Sequence, residues 1–282
     1  MKHFNIIVAG LLALGATGCT VNQSGQQHNG DETLSDTSTV NVDGENATKV
    51  LSTLPSPHEI IDILVGQPDS KFDAGIVNSQ SQYLEYNTTA SKALNLGVYG
   101  VDMSYASLFN QNQTVLQYMA VVKNMAEQLG VLKFFDEATM RQMEQNMDNK
   151  EKMIDIISTA FYNSDQYLLD NGQHEIAAMI ISGAWIEAMY TAFKLTKGDI
   201  GLNKQLSSRI LKQCESIDLM VTFLSNYTES RVGGVADDFK QLQSLIQKAG
   251  ITQSDGVFSC NDTDFKAIAD KVFNIRSSYV AL

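Results

Sequence analysis

Apolar side chains recur at steps of three and four along several stretches of this chain. Leu206, Ile210, Cys214, Ile217, Val221 and Leu224 form one stripe, and Val115, Met119, Val122, Met125 and Leu129 form another. Phe265, Ile268, Val272, Ile275 and Tyr279 close the sequence with a third, and Met153, Ile157, Phe161, Ser164 and Leu168 repeat the pattern less perfectly. Such spacing lines up one face of an α-helix. The run from Ile176 to Ile186 is apolar on every side, as expected of a helix surrounded by others. All three prolines lie between residues 55 and 68, and long helices are what a proline-free remainder favours.

End signals divide the pattern into elements. Ser56-Pro57-His58-Glu59 joins an N-cap serine, proline at the first helical position and a glutamate that completes a capping box. Asp148 with Glu151 and Asn110 with Gln113 are weaker starts of the same kind. Gly130, Gly172, Gly198 and Gly250 each follow a periodic run, where a left-handed C-cap favours glycine. The pattern therefore predicts helices over 57–65, 80–108, 112–129, 137–147, 150–170, 173–197, 203–228, 235–249 and 263–280. Asn171-Gly172 makes its two flanking helices an antiparallel hairpin. The expected fold is all-α, an irregular multi-helix bundle of antiparallel helical hairpins over residues 51–282, behind a disordered N-terminal tether. No fixed-period repeat is present, and the tetratricopeptide residues are absent.

The N-terminal part reads differently. Lys2 gives a positive start, Ile6 to Leu14 an apolar core, and Gly15, Ala16 and Gly18 a small-residue approach to Cys19. The apolar core is about half of the ~20 residues a membrane-spanning helix needs. Residues 1–18 are thus read as a signal peptide. Residues 20 to 50 are Ser, Thr, Asn, Gln, Gly and acids with hardly any large apolar side chain, so they cannot offset the entropy of ordering. With Cys19 they make a flexible, acidic tether, carrying Asp31, Glu32, Asp36, Asp43 and Glu45 against Lys49.

Ala16-Thr17-Gly18-Cys19 resembles the lipobox of bacterial lipoprotein precursors, with Ala16 departing from the usual leucine. In that family the cysteine is lipidated and becomes the first residue of the mature chain. The resemblance implies a lipid anchor at Cys19 and a place in the bacterial cell envelope, at the outer membrane, with the face it occupies left open. The whole chain, including "NGQHEIAAMIISGAWIEAMYTA", also resembles in style helical lipoproteins of Bacteroidota, from which no function follows.

Charge narrows the partners. The chain has 32 acidic and 20 basic side chains, a net charge of −12, and loss of Lys2 with the signal makes it more acidic still. Nucleic-acid binding needs a concentrated positive surface and is not expected. Cys214 and Cys260 are the cysteines left beyond Cys19, and in an oxidising compartment a disulfide competes with a pair of buried thiols.

Candidate chemistry is sparse, and no cofactor is implied. Beyond the tether only His58 and His174 are left, neither in an HExxH pattern and neither in a Glu-x-x-His pair. Gly198-Asp199-Ile200-Gly201 and Gly233-Gly234 lack the Lys-Ser/Thr of a phosphate loop and read as turns. Met140, Met143 and Met147 share a helix face and could hold Cu(I) through their thioethers, although such a stripe is also ordinary core packing.

The remaining constellation is polar and aromatic. Tyr99, Asp102 and Tyr105 lie three residues apart in apolar company, with Gly97 and Gly100 allowing a kink or a close helix approach. Trp185, Glu187 and Tyr190 form a second group, Glu187 sharing its face with Ile176, Ile180 and Gly183. The simplest account has the tyrosines filling polar gaps while Glu187 emerges to solvent near Lys194. If the two groups line one pocket, it suits an amphiphilic or cationic small molecule. A partner- or ligand-binding envelope protein without catalysis is the leading expectation. The rivals are a Met-based copper protein and a hydrolase, the latter needing Asp102 and Glu187 about 5–10 Å apart in one cleft.

Overall fold

The computed structural model describes residues 71–227 and 232–281, together with Ile61 and Ile63. The signal, Cys19, the tether, the prolines and the Ser56–Glu59 start fall outside these residues, as does most of the helix expected over 57–65. An irregular strap over residues 71–79 leads into a short 3-10 turn, Gln80–Glu85. Nine helices follow among the described residues: α1 (Thr89–Leu108), α2 (Asn112–Gln128), α3 (Glu137–Gln145), α4 (Lys150–Asp170), α5 (His174–Leu195), α6 (Lys204–Gln213), α7 (Ile217–Ser225), α8 (Gly233–Lys248) and α9 (Asp262–Val280). The only sheet among them is a hairpin of β1 (Thr252–Ser254) and β2 (Val257–Ser259). The protein is an all-α, irregular helical bundle.

The apolar stripes do the work the sequence assigns them. Val115, Met119, Val122, Met125 and Leu129 are buried, as are Phe265, Ile268, Val272, Ile275 and Tyr279. α5 is central, with its flat distribution of apolar residues covered by α1, α4, α6, α7 and α9. It is long and apolar enough to cross a membrane, but its burial inside the bundle accounts for that composition.

The closest helix pair is α1 with α5, and glycine makes it so. A Cβ at Gly183 would run into the Leu94 carbonyl, and one at Gly97 into Ile180 O and the Ala184 amide. Gly100 plays a related part, because the Phe161 ring from α4 occupies the space a side chain would need. Gly130, Gly172, Gly198 and Gly250 all have positive φ, between 56° and 77°, as C-cap positions require.

Four boundaries differ from the sequence expectation. The helix expected over 80–108 is interrupted at residues 86–88, because Thr88 and Ser91 form a reciprocal capping box that starts a new helix. Asn110 is a left-handed residue after α1 (φ 53°) rather than a helix start, and α2 begins at Asn112. Asn149, one residue after the expected Asp148, caps α4 by accepting from the Lys152 amide. The helix expected over 203–228 tightens into a 3-10 turn at Cys214–Ser216. There the Ser216 hydroxyl donates to Gln213 O and accepts from the Trp185 indole.

The hairpin is an element the pattern did not suggest, although Asp255-Gly256 is a recognised signal for it. Both residues have positive φ, 51° and 78°, as a two-residue type I′ turn demands, and Ser254 pairs with Val257 across it. Phe258 on β2 is buried, and its amide donates to the Ser208 hydroxyl of α6.

Candidate functional site

Asp102 faces inward from α1 because its neighbours at helical spacing, Val98, Tyr99, Tyr105 and Ala106, are all core residues. Glu187 faces inward from α5 for the same reason, between Gly183, Ile186 and Tyr190. Both carboxyls have no exposed surface at all. They neighbour one another, so the two groups singled out in the sequence do meet. Glu187 therefore does not emerge to solvent near Lys194. Lys194 instead lies over the Tyr190 and Phe273 rings.

The partner of Glu187 is Arg276 of α9. Its Nε donates to Oε2 at 2.9 Å and a terminal nitrogen to Oε1 at 3.2 Å, a two-bond fork that occupies both carboxylate oxygens. The guanidinium lies 4.5 Å from the centre of the Tyr190 ring, adding a cation–π contact. Burial pushes the Glu187 carboxyl up, and Arg276 pulls it back toward ionisation. Burial works against the charge on Arg276 too, but Glu187 and Asp102 hold its proton more firmly than usual.

Asp102 is bound differently. Its Oδ2 accepts from the backbone amide of Asn78 at 2.9 Å, and no donor reaches its Oδ1. Burial, followed by the neighbouring Glu187 carboxylate, holds it well above the usual carboxylate range. Two adjacent buried carboxyls with one guanidinium are reconciled by a single proton. Arg276 draws Glu187 toward the anion, and burial beside Glu187 draws Asp102 toward its protonated form.

The tyrosines complete the arrangement by holding the strap. Tyr99 donates to Ser79 O at 2.8 Å, Tyr118 of α2 donates to Asn78 O at 2.7 Å, and the Asp73 amide donates to the Tyr105 hydroxyl. The Asn78 side-chain amide donates to the Tyr86 hydroxyl at 2.9 Å. Tyr86, Tyr99 and Tyr118 stand in a row, with ring centres 5.8 to 6.4 Å apart in successive contacts. Phe72 of the strap lies against Tyr105 and Phe109, and Ile76 is buried. The polar-aromatic face of α1 is thus a seat, and a segment of the same chain sits in it.

Trp185 stands apart from this group, fully buried against Phe239 of α8 with its indole on Ser216. The methionine stripe is divided: Met143 is fully buried, while Met140 and Met147 are half-buried against the core. No group of three or more His, Cys, Asp or Glu side chains suited to a metal occurs among the described residues. Cys214 and Cys260 are free thiols: burial pushes the Cys214 thiol up, and burial together with Asp264 and Asp262 pushes the half-buried Cys260 thiol up to about 11.

Asn78, Tyr86, Tyr118 and Arg276 were not singled out in the sequence. Arg276 had a visible signal, since it takes the place of an apolar residue between Val272 and Tyr279 on the buried face of α9. The strap residues had none.

No protein family, curated protein or solved structure compared with this chain matches it. The functional reading therefore rests on the residues themselves.

Proposed function

We propose that this chain is a lipid-anchored protein of the bacterial cell envelope whose helical domain binds a partner and carries out no reaction. The observation that carries the non-catalytic part is the occupation of both acids. Glu187 spends its two oxygens on Arg276, Asp102 holds the strap through Asn78, and neither has exposed surface. A general acid or base must come within hydrogen-bond reach of its substrate, and these two are committed elsewhere. The copper reading is weakened in the same way, because Met143 is enclosed in the core and cannot join its neighbours around an exposed ion.

The anchoring part rests on Ala16-Thr17-Gly18-Cys19 and the polar, acidic stretch after it. Several acyl chains hold a protein almost permanently, each buried methylene adding about 0.8 kcal/mol, and a tether of ~30 residues lets the domain range some tens of ångströms from the surface. That combination serves a module that must reach something else in the envelope. An open concavity of about 350 Å³ lies between α2 and α3, lined by Leu116, Met119 and Met140 with Lys123, Glu137, Arg141 and Glu144. Such a mixed apolar and charged groove suits a protein segment or an amphiphile.

The test is crosslinking in intact cells, comparing the natural chain with Asp102→Asn. Binding predicts one discrete adduct, retained by the variant. Absence of an adduct from both chains, or a hydrolytic activity of the purified protein abolished by Asp102→Asn, would overturn the reading.

A further inference from the structure

We propose that the concavity at the start of α5 binds an organic ammonium ion through the Tyr227 and His174 rings and the Glu175 carboxylate. The space is about 350 Å³ and lies where α4 gives way to α5, lined also by Tyr227 just after α7 and by Thr89 at the start of α1. Met179 on its wall is buried, and Thr89, His174, Glu175, Ile176 and Tyr227 are half-buried.

These are walls that attract a cation with apolar substituents. The two rings meet at 78° with their centres 6.2 Å apart, so they form a corner rather than a stack. A cation against an aromatic face is attracted by the ring's quadrupole, and the Met179 thioether adds a polarizable, apolar surface. Glu175 supplies the countercharge. It is the one carboxylate lining the space, no Lys or Arg lines it alongside, and no cation pairs with Glu175 among the described residues. Its charge is felt at Tyr227: burial, followed by Glu175, pushes that phenol up to about 12, so the ring stays neutral.

His174 adds direction. Its Nε2 lies 3.0 Å from Leu169 O, and a carbonyl only accepts, so Nε2 carries the proton and Nδ1 of the neutral ring is an acceptor. The positive end of α5 opposes a cation here. The negative end of α4 falls at the same turn, however, and Glu175 sits in the first turn of α5. The net charge of −12 on the chain also favours a cation over an anion. Two kinds of ammonium share this chemistry. A quaternary ion uses the rings and the Glu175 charge alone, whereas a primary one also donates N–H bonds to Glu175 and to His174 Nδ1. The inference does not rest on the partner-binding reading, which the crosslinking decides separately.

Calorimetric titration of the full chain tests it with three probes: choline, n-butylammonium, and the neutral alcohol that replaces choline's nitrogen by carbon. One of the two ions is expected to saturate a single site, with the alcohol bound about tenfold more weakly or not at all. Tighter choline identifies a quaternary ligand, and tighter n-butylammonium a primary amine. Glu175→Gln and Tyr227→Leu should each weaken the preferred ion by about fivefold or more. Glu127→Gln, which removes the same charge from an exposed position on α2, should leave binding unchanged. Circular dichroism verifies each fold, and if Tyr227→Leu unfolds, Glu175→Gln decides alone. No saturable binding of either ion, an alcohol bound as tightly as the ions, or undiminished binding by Glu175→Gln overturns the site.

Discussion

Asp102 occupies a position where an ionised carboxyl would face the Glu187 carboxylate with no solvent to screen either. Its pKa is higher in the folded state than in the unfolded chain, so the folded state binds the extra proton. Unfolding free energy from this group is therefore greatest below the unfolded value near ~4 and declines as pH rises toward the folded value. Asp102→Asn copies the protonated carboxyl: its oxygen still accepts from Asn78 N, and its amide can donate toward Glu187. Chemical denaturation across pH should show Asp102→Asn as stable as the natural protein at low pH and more stable above it. Asp102→Ala strands the Asn78 amide and should cost about 1–3 kcal/mol. The Glu187–Arg276 pair makes a complementary prediction. Arg276→Met leaves a buried carboxylate without its cation and should cost about 3–5 kcal/mol, whereas Glu187→Leu with Arg276→Met together should cost less than Arg276→Met alone. Urea unfolding of the three chains measures both.

Among the elements, α1 and α5 depend on each other through their glycines. Gly183→Ala pushes a methyl into the Leu94 carbonyl, which is backbone and cannot rotate away. Overpacking costs about 1–3 kcal/mol and occasionally more, and this position belongs at the upper end. Thermal unfolding should show Gly183→Ala well below the natural protein, while Gly234→Ala, with open space around it, changes little. The sequence carried enough to place most of these elements. Stripes such as Val115 to Leu129 and Phe265 to Tyr279 mark helices because burial of one face dominates their energy. What escaped it was set by short local chemistry: the Thr88–Ser91 cap, the Asp255-Gly256 turn and the tightening at Ser216. The first two have signatures of their own. The third depends on Trp185, 31 residues away, reaching the Ser216 hydroxyl.

At the scale of the whole molecule, half of the site was legible and half was not. Tyr99, Asp102 and Glu187 stand out because polar groups inside apolar helices must be satisfied somewhere. The groups that satisfy them come from distant parts of the chain: Asn78 from the strap, Tyr118 from α2 and Arg276 from the last helix. Periodicity cannot pair residues so far apart. What results is a domain whose most functional-looking acids hold it together and hold its strap. The proposed partner-binding role needs the domain delivered to the envelope and kept there, which places the weight on Cys19. Mass spectrometry of the protein isolated from its native cells tests this most directly. The account predicts a mature chain that begins at Cys19 and carries a diacylglyceryl group on its thiol. An unmodified Cys19, or a chain that begins elsewhere, would contradict it.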